Sequence, residues 1–218
     1  MKKRIVAIMA AAALASIALA GCGQQGGGDA GQQAAASAQT EAVEASSNAE
    51  AAVAPGEAAG FTEIPIFEDQ EVGFMNLSAV YFQPVPMSNG NEKIDGFDIH
   101  LEADISAKEN KLGFGVGDWV PYLTVDYKVE DPASGETKAE GTFMEMSASD
   151  GPHYGANIAL PEAGKYNLTI TIHSPEENGY LLHTDAETGP GGSFDEFFKD
   201  GNLSYTFEGW EYTGPVEP

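Results

Sequence analysis

Three of the four histidines in this 218-residue chain stand beside carboxylates or a methionine. In Asp98-Ile99-His100-Leu101-Glu102-Ala103-Asp104-Ile105, alternation puts Asp98, His100, Glu102 and Asp104 on one face of an extended strand. Neighbours along such a ladder are roughly 6.5–7 Å apart. An imidazole among carboxylates holds its proton firmly unless a metal ion displaces it. The set reads either as a ladder of metal ligands or as a solvated sheet face. In Met146–Gly155, MSASDGPHYG, Pro152 fixes φ while Gly151 and Gly155 permit tight backbone geometry. His153 is then expected to be aimed by a turn, close to Met146 and Asp150, as a preorganised ligand or as part of a plain structural corner. His183 and Asp185 share a face if LLHTDAETG is extended. His173 ends a strand beside Pro175 and reads as an edge residue outside any site. Thioether sulfur favours copper, particularly Cu(I), whereas imidazole and carboxylate suit Cu(II), iron and manganese.

The elements that must position these groups alternate with period two. Segments 75–85, 97–107, 119–130, 141–149, 165–174 and 203–212 are the clearest, and turn-rich stretches such as NGNEKIDG, DPASGET and PEAGK separate them. Strands at this spacing without intervening helices predict an all-β, immunoglobulin-like antiparallel β-sandwich. The Cys–Trp–Cys signature of true immunoglobulin domains is missing, so the expectation concerns architecture.

Residues 1–21 have a basic start at Lys2, Lys3 and Arg4 and an apolar stretch of secretory length. Leu19-Ala20-Gly21-Cys22 resembles a lipoprotein cleavage box, which makes Cys22 the expected lipidation site. Residues 22–60 lack aromatic residues and cannot bury enough surface to offset ordering entropy, so they are expected to be a disordered tether. A coil of that length holds a domain roughly 30–40 Å from a membrane. The folded domain is then 61–218, in an extracytoplasmic lipoprotein that is periplasmic or on the outer face of the cytoplasmic membrane and contacts the membrane only through its lipid.

The formal net charge of −24 becomes three units more negative once Lys2, Lys3 and Arg4 are removed. That excess disfavours nucleic acid and anionic membrane surfaces, and favours cations or basic proteins. With Cys22 as the sole cysteine, an intrachain disulfide, zinc–thiolate knuckles and iron–sulfur clusters are excluded. A cupredoxin is excluded as well, because it requires a cysteine among its copper ligands. No zinc-hydrolase motif of the H-E-x-x-H kind occurs, and binding is expected instead of enzymatic catalysis.

The motifs AVYFQPV (79–85), DIHLEADI (98–105), WVPYLTV (119–125), GTFMEMSASDGPHYGANI (141–158) and HTDAETG (183–189) together resemble the periplasmic high-affinity iron-transport proteins encoded beside iron permeases. The resemblance implies a dimeric β-sandwich that binds copper and iron, with an iron permease as partner. It implies copper ligands at Glu102, Met146, His153 and His183, a second-metal region at His100, and an iron-facing or supporting carboxylate at Asp150. PGGSFDEFF follows ETG where the family is often rich in tryptophan, and the expected lipid tether is a further departure. A copper-holding or copper-resistance lipoprotein would share the same ligands. A passive surface-binding module on the same scaffold would need none of them.

Overall fold

The computed structural model describes residues 62–88 and 94–217. The expected signal segment 1–21, Cys22 and the tether to residue 60 lie outside the described residues. Strands β1 (Ile64–Val72), β2 (Met75–Phe82), β3 (Ile99–Ala107), β6 (Met144–Ser147) and β7 (Pro152–Ile158) form one antiparallel sheet, in the order β1-β2-β3-β7-β6. Strands β4 (Val125–Glu130), β5 (Thr137–Thr142), β8 (Gly164–Ile172) and β9 (Leu203–Tyr212) form the second, in the order β5-β4-β8-β9. The sandwich is as expected. Among the described residues, helix is confined to a 3₁₀ turn at Pro175–Asn178 and one α-turn, α1, at Asp195–Phe198.

The core lies between the inner faces of the sheets. Met75, Leu77, Ala79 and Tyr81 of β2 meet Ile99, Leu101, Ala103 and Ile105 of β3, with Tyr154, Ala156 and Ile158 of β7 beside them. Val125, Val129, Leu168, Ile170 and Ile172 supply the opposite wall. This apolar layer gives the domain a stabilising term of roughly 25 cal/mol per Å² of buried apolar surface, and it does so without a disulfide.

Three strand expectations are corrected. The single strand expected over 141–149 divides at Phe143, which is buried and donates its N–H to Val125 O at 2.8 Å. The chain there crosses from β5 in one sheet to β6 in the other, which carries Met144 and Met146 to the sheet that holds His100. Residues 152–158 form a strand where a turn was expected to run through His153. From His153 to Ile158 every residue of β7 is buried, so no period-two signal exists to read. In β1, register shifts after Pro65 and Phe67 break the alternation, and Asp69 has φ 55°. The stretch 119–124 of the third expected strand, 119–130, is mostly irregular. It wraps Tyr154, whose hydroxyl donates to Val120 O at 2.8 Å and accepts from Leu123 N at 3.1 Å.

Candidate metal centre

The outer face of the β1–β6 sheet carries the site. Register pairs Phe82 with His100, His100 with Asn157, Glu102 with Gly155, and Met146 with His153. Residues paired across an antiparallel ladder point the same way, so these side chains converge above the two central strands, β3 and β7. The loop at 83–88 and the β6–β7 turn at 148–151 flank them and enclose a cavity of about 320 Å³. Its lining includes Glu63, Met87, His100, Glu102, Met146, Asp150 and His153.

The expected ladder on β3 is therefore no solvated face where it matters. His100 is fully buried, Glu102 is 3% exposed and His153 is 3% exposed. One ligand atom from each of the three lies within 4.8 Å of the other two. Asp98 leaves the ladder: it precedes β3, and its carboxylate accepts Leu160 N at 2.7 Å.

Hydrogen bonds decide which atom of His100 is available. Asn157 donates from Nδ2 to Val85 O at 2.8 Å and accepts from Val85 N at 3.1 Å on Oδ1, which fixes the orientation of its amide. Asn157 Oδ1 then stands 3.0 Å from His100 Nδ1, which must donate to it. His100 Nε2 is left as a bare lone pair, buried and without a partner. Leaving such an acceptor unsatisfied costs roughly 1–3 kcal/mol, a cost that a cation at this atom would offset. Burial drives the His100 pKa down to about 4, with the His153 ring acting in the same direction and the Asn157 hydrogen bond opposing them. The imidazole is accordingly neutral and ready to ligate.

Glu102 and His153 approach to 3.3 Å (Oε1 to Nδ1). The contact is between neutral groups and is no ion pair. Burial raises the Glu102 pKa to about 9, aided by Asp104, Asp150 and Glu63. Burial also lowers that of His153, against Asp104, Asp150 and a hydrogen bond to the Gly151 backbone. That last bond is what remains of the expected aiming of His153 by the Asp-Gly-Pro corner; its main positioning comes from the β6–β7 ladder. Glu63, for which the sequence offered no signal, has a raised pKa from burial and from the charges of Asp150 and Asp104. Two imidazoles, a carboxyl group and a thioether around one small cavity form a donor set that fits copper, and the neighbouring carboxylates suit a harder cation.

His183 is not among the cavity-lining residues. Its side chain is 75% exposed, in the loop between the 3₁₀ turn and α1. The expected extended face with Asp185 is replaced by a tight turn: Asp185 Oδ1 accepts Thr188 N at 2.9 Å, and its backbone oxygen accepts Gly189 N at 3.0 Å. The Thr188 hydroxyl donates to Asp185 Oδ2 at 2.6 Å, so at 2.8 Å it must accept from His183 Nδ1. His183 Nε2 is thus the bare nitrogen, on an exposed ring. His173 lies outside the cavity, between Asp126 (2.9 Å) and Glu177 (3.4 Å), as its edge position suggested.

The sequence model of a family described as Fe2+ transport protein matches residues 60–214. A UPF0423 protein of Brucella abortus is 42% identical over 151 residues, covering 66% of this chain and 80% of the relative. The 34 kDa membrane antigen of Treponema pallidum is 44% identical over 143 residues, covering 63% of this chain and 70% of its own. Among solved structures, FetP of uropathogenic Escherichia coli strain F11 superposes with a TM-score of 0.63 at 44% identity, over 71% of this chain and 99% of that one. Copper-reconstituted P19 of Campylobacter jejuni gives 0.64 at 39%, over 72% and 99%. Copper-bound structures also exist of a glutamate-to-glutamine variant of FetP and of P19 variants substituted at a glutamate, a methionine and an aspartate.

Proposed function

This chain belongs to the Fe2+ transport protein family, and from that premise we propose that it is an extracytoplasmic, lipid-anchored protein that holds copper in the cavity and passes iron to a membrane permease. One observation carries the copper reading: His100, Glu102 and His153 are buried together, within 4.8 Å, with His100 Nε2 unpartnered. A passive surface module has no use for such a costly arrangement. The P19 variants add support, since their substituted glutamate, methionine and aspartate are separated by 44 and then 4 residues, the spacing of Glu102, Met146 and Asp150 here.

In this reading copper is a resident cofactor able to exchange one electron with neighbouring iron. His100 and His153 supply imidazole nitrogens, Glu102 a carboxylate and Met146 a thioether. Iron is cargo, received by the harder oxygen donors Asp150, Glu63 and Glu102. The protein holds and hands on metal without making or breaking covalent bonds in a substrate.

A metal at Glu102 must displace its proton, and this gives the reading a thermodynamic test. Below about pH 9 the carboxyl group is protonated, so binding releases one proton and affinity rises up to tenfold per pH unit toward 9. At pH 8 the imidazoles add no second proton, because burial holds both below the ordinary histidine value. Calorimetry of copper binding in two buffers of different ionisation enthalpy counts the released proton. Glu102→Gln should still bind copper yet release none, and a wild-type protein that releases none would remove Glu102 from the ligand set. Failure of wild type to retain stoichiometric copper would overturn the function itself.

We further assign His183 to the site of a partner copy in a homodimer. Its exposed, correctly tautomerised ring shares a loop with Leu181, which is 82% exposed, and Tyr122, half exposed, packs on Tyr180 of the same loop. Apolar exposure of this kind marks an interaction surface. A mixture of His153→Ala and His183→Ala chains should regain tight copper binding through heterodimers, although each variant alone is impaired. Unimpaired binding by His183→Ala alone would place His183 outside the site, and no recovery on mixing would show that it does not act across a dimer.

A further inference from the structure

We propose that Met87 is a second thioether donor to the cavity, held over it by the Asn157–Val85 clasp, and that it selects for the cuprous state. The inference rests on the copper reading above. Of the residues lining the cavity, Met87 and Met146 are the two that carry sulfur. They enter from opposite sides. Met146 lies on edge strand β6, next to β7, and Met87 lies on the segment leaving β2, next to β3. The strands between them, β3 and β7, carry His100, Glu102 and His153, so two soft sulfurs bracket the imidazoles.

Position alone would leave Met87 a gap-filling side chain, the commonest use of methionine. The backbone before it argues otherwise. Pro84 and Pro86 each fix a φ angle on either side of Val85. Both backbone groups of Val85 are held by the Asn157 side chain, at 3.1 Å and 2.8 Å. The same Asn157 Oδ1 receives His100 Nδ1 at 3.0 Å. One amide therefore fastens a ligand imidazole and the loop bearing Met87 as a unit, and Met87 is two residues from that fixed point. A partner that fixes both tautomer and loop is the kind of support that metal ligands require. Two thioethers with two imidazoles form a softer set than one, and stabilise Cu(I) over Cu(II).

The test uses X-ray absorption on the purified full chain loaded with Cu(I), with affinities from competition against chelators of each oxidation state. Met87→Leu conserves side-chain volume and should leave the fold intact. Two sulfur scatterers per copper are expected in wild type and one in Met87→Leu. Cu(I) affinity should fall about 10–100-fold, the range for losing one supporting contact at a metal site, while Cu(II) affinity changes far less. Asn157→Ala, which keeps the thioether but releases the loop, should also lose the second sulfur. The same sulfur count and the same Cu(I) affinity in wild type and Met87→Leu would overturn the inference while leaving copper binding in place. Absence of copper from wild type would overturn the function and this inference together.

Discussion

Replacing His153 by alanine is expected to weaken copper binding by at least about 100-fold, equivalent to about 2.8 kcal/mol. Loss of a partner outside the coordination sphere already costs 10–100-fold at metal sites, and His153 is placed to be a direct donor. Its ring nitrogen lies 3.3 Å from Glu102 and its Cα pairs in register with Met146, so its removal takes the middle donor from a converging set. The strand itself should survive, because Tyr154 and Ile158 on the core side of β7 keep their burial. His173→Ala, outside the cavity, is the matched control and should bind copper as wild type does. Competition titration with a copper chelator, alongside circular dichroism, distinguishes the outcomes. Equal affinity in His153→Ala and wild type would mean that the cavity is not the copper site.

Gly155→Ala is the second substitution with a large expected effect, although it replaces none of the donor residues. A Cβ at Gly155 would lie 2.5 Å from His100 Nε2 and 3.1 Å from its Cε1. The ring has nowhere to go without loss: Asn157 holds Nδ1, and the Phe82 ring lies 5.0 Å away by centroids. Overpacking of this kind costs typically 1–3 kcal/mol. The added methyl also covers the lone pair that a metal would take, so copper affinity should fall by about 100-fold together with the stability. The pairing of the two effects is diagnostic. A general packing defect would lower the melting temperature equally with and without copper. Blockage of His100 instead shrinks the stabilisation that copper provides, which follows the ratio of ligand concentration to Kd. Thermal unfolding of both proteins with and without one equivalent of copper measures that difference. An unchanged copper-induced shift in Gly155→Ala would remove His100 Nε2 from the set.

Much of this site could be read in one dimension because β-strand geometry is local. His100 and Glu102 are two residues apart on a strand whose other face is apolar, and that alone puts both on one side of a sheet. Met146 and His153 were legible as neighbours because a turn of the Asp-Gly-Pro kind folds the chain back within a few residues. The sandwich itself followed from period-two segments between turn sequences. What misled was burial on both faces. β7 buries every residue from His153 to Ile158, so its lack of alternation looked like a loop. Phe143 redirects one apparent strand into two sheets, a change that no local pattern records. His183 and Asp185 looked like a strand face, whereas the Asp185 carboxylate had a closer use in capping its own turn at Thr188.

Amino-acid order by itself determined the architecture, the exclusion of cysteine chemistry, and the presence of imidazole, carboxylate and thioether donors on particular strands. Tertiary structure decided which of those donors meet. Glu63, Met87 and Asn157 come to His100 from distant parts of the chain, through sheet order and through hydrogen bonds to Val85. It also decided charge and tautomer, since burial raises Glu102 and lowers His100, and one fixed amide chooses the nitrogen left bare. The reason is physical: strand periodicity depends on neighbours two residues apart, whereas desolvation and hydrogen-bond geometry depend on whatever the fold brings within a few ångströms.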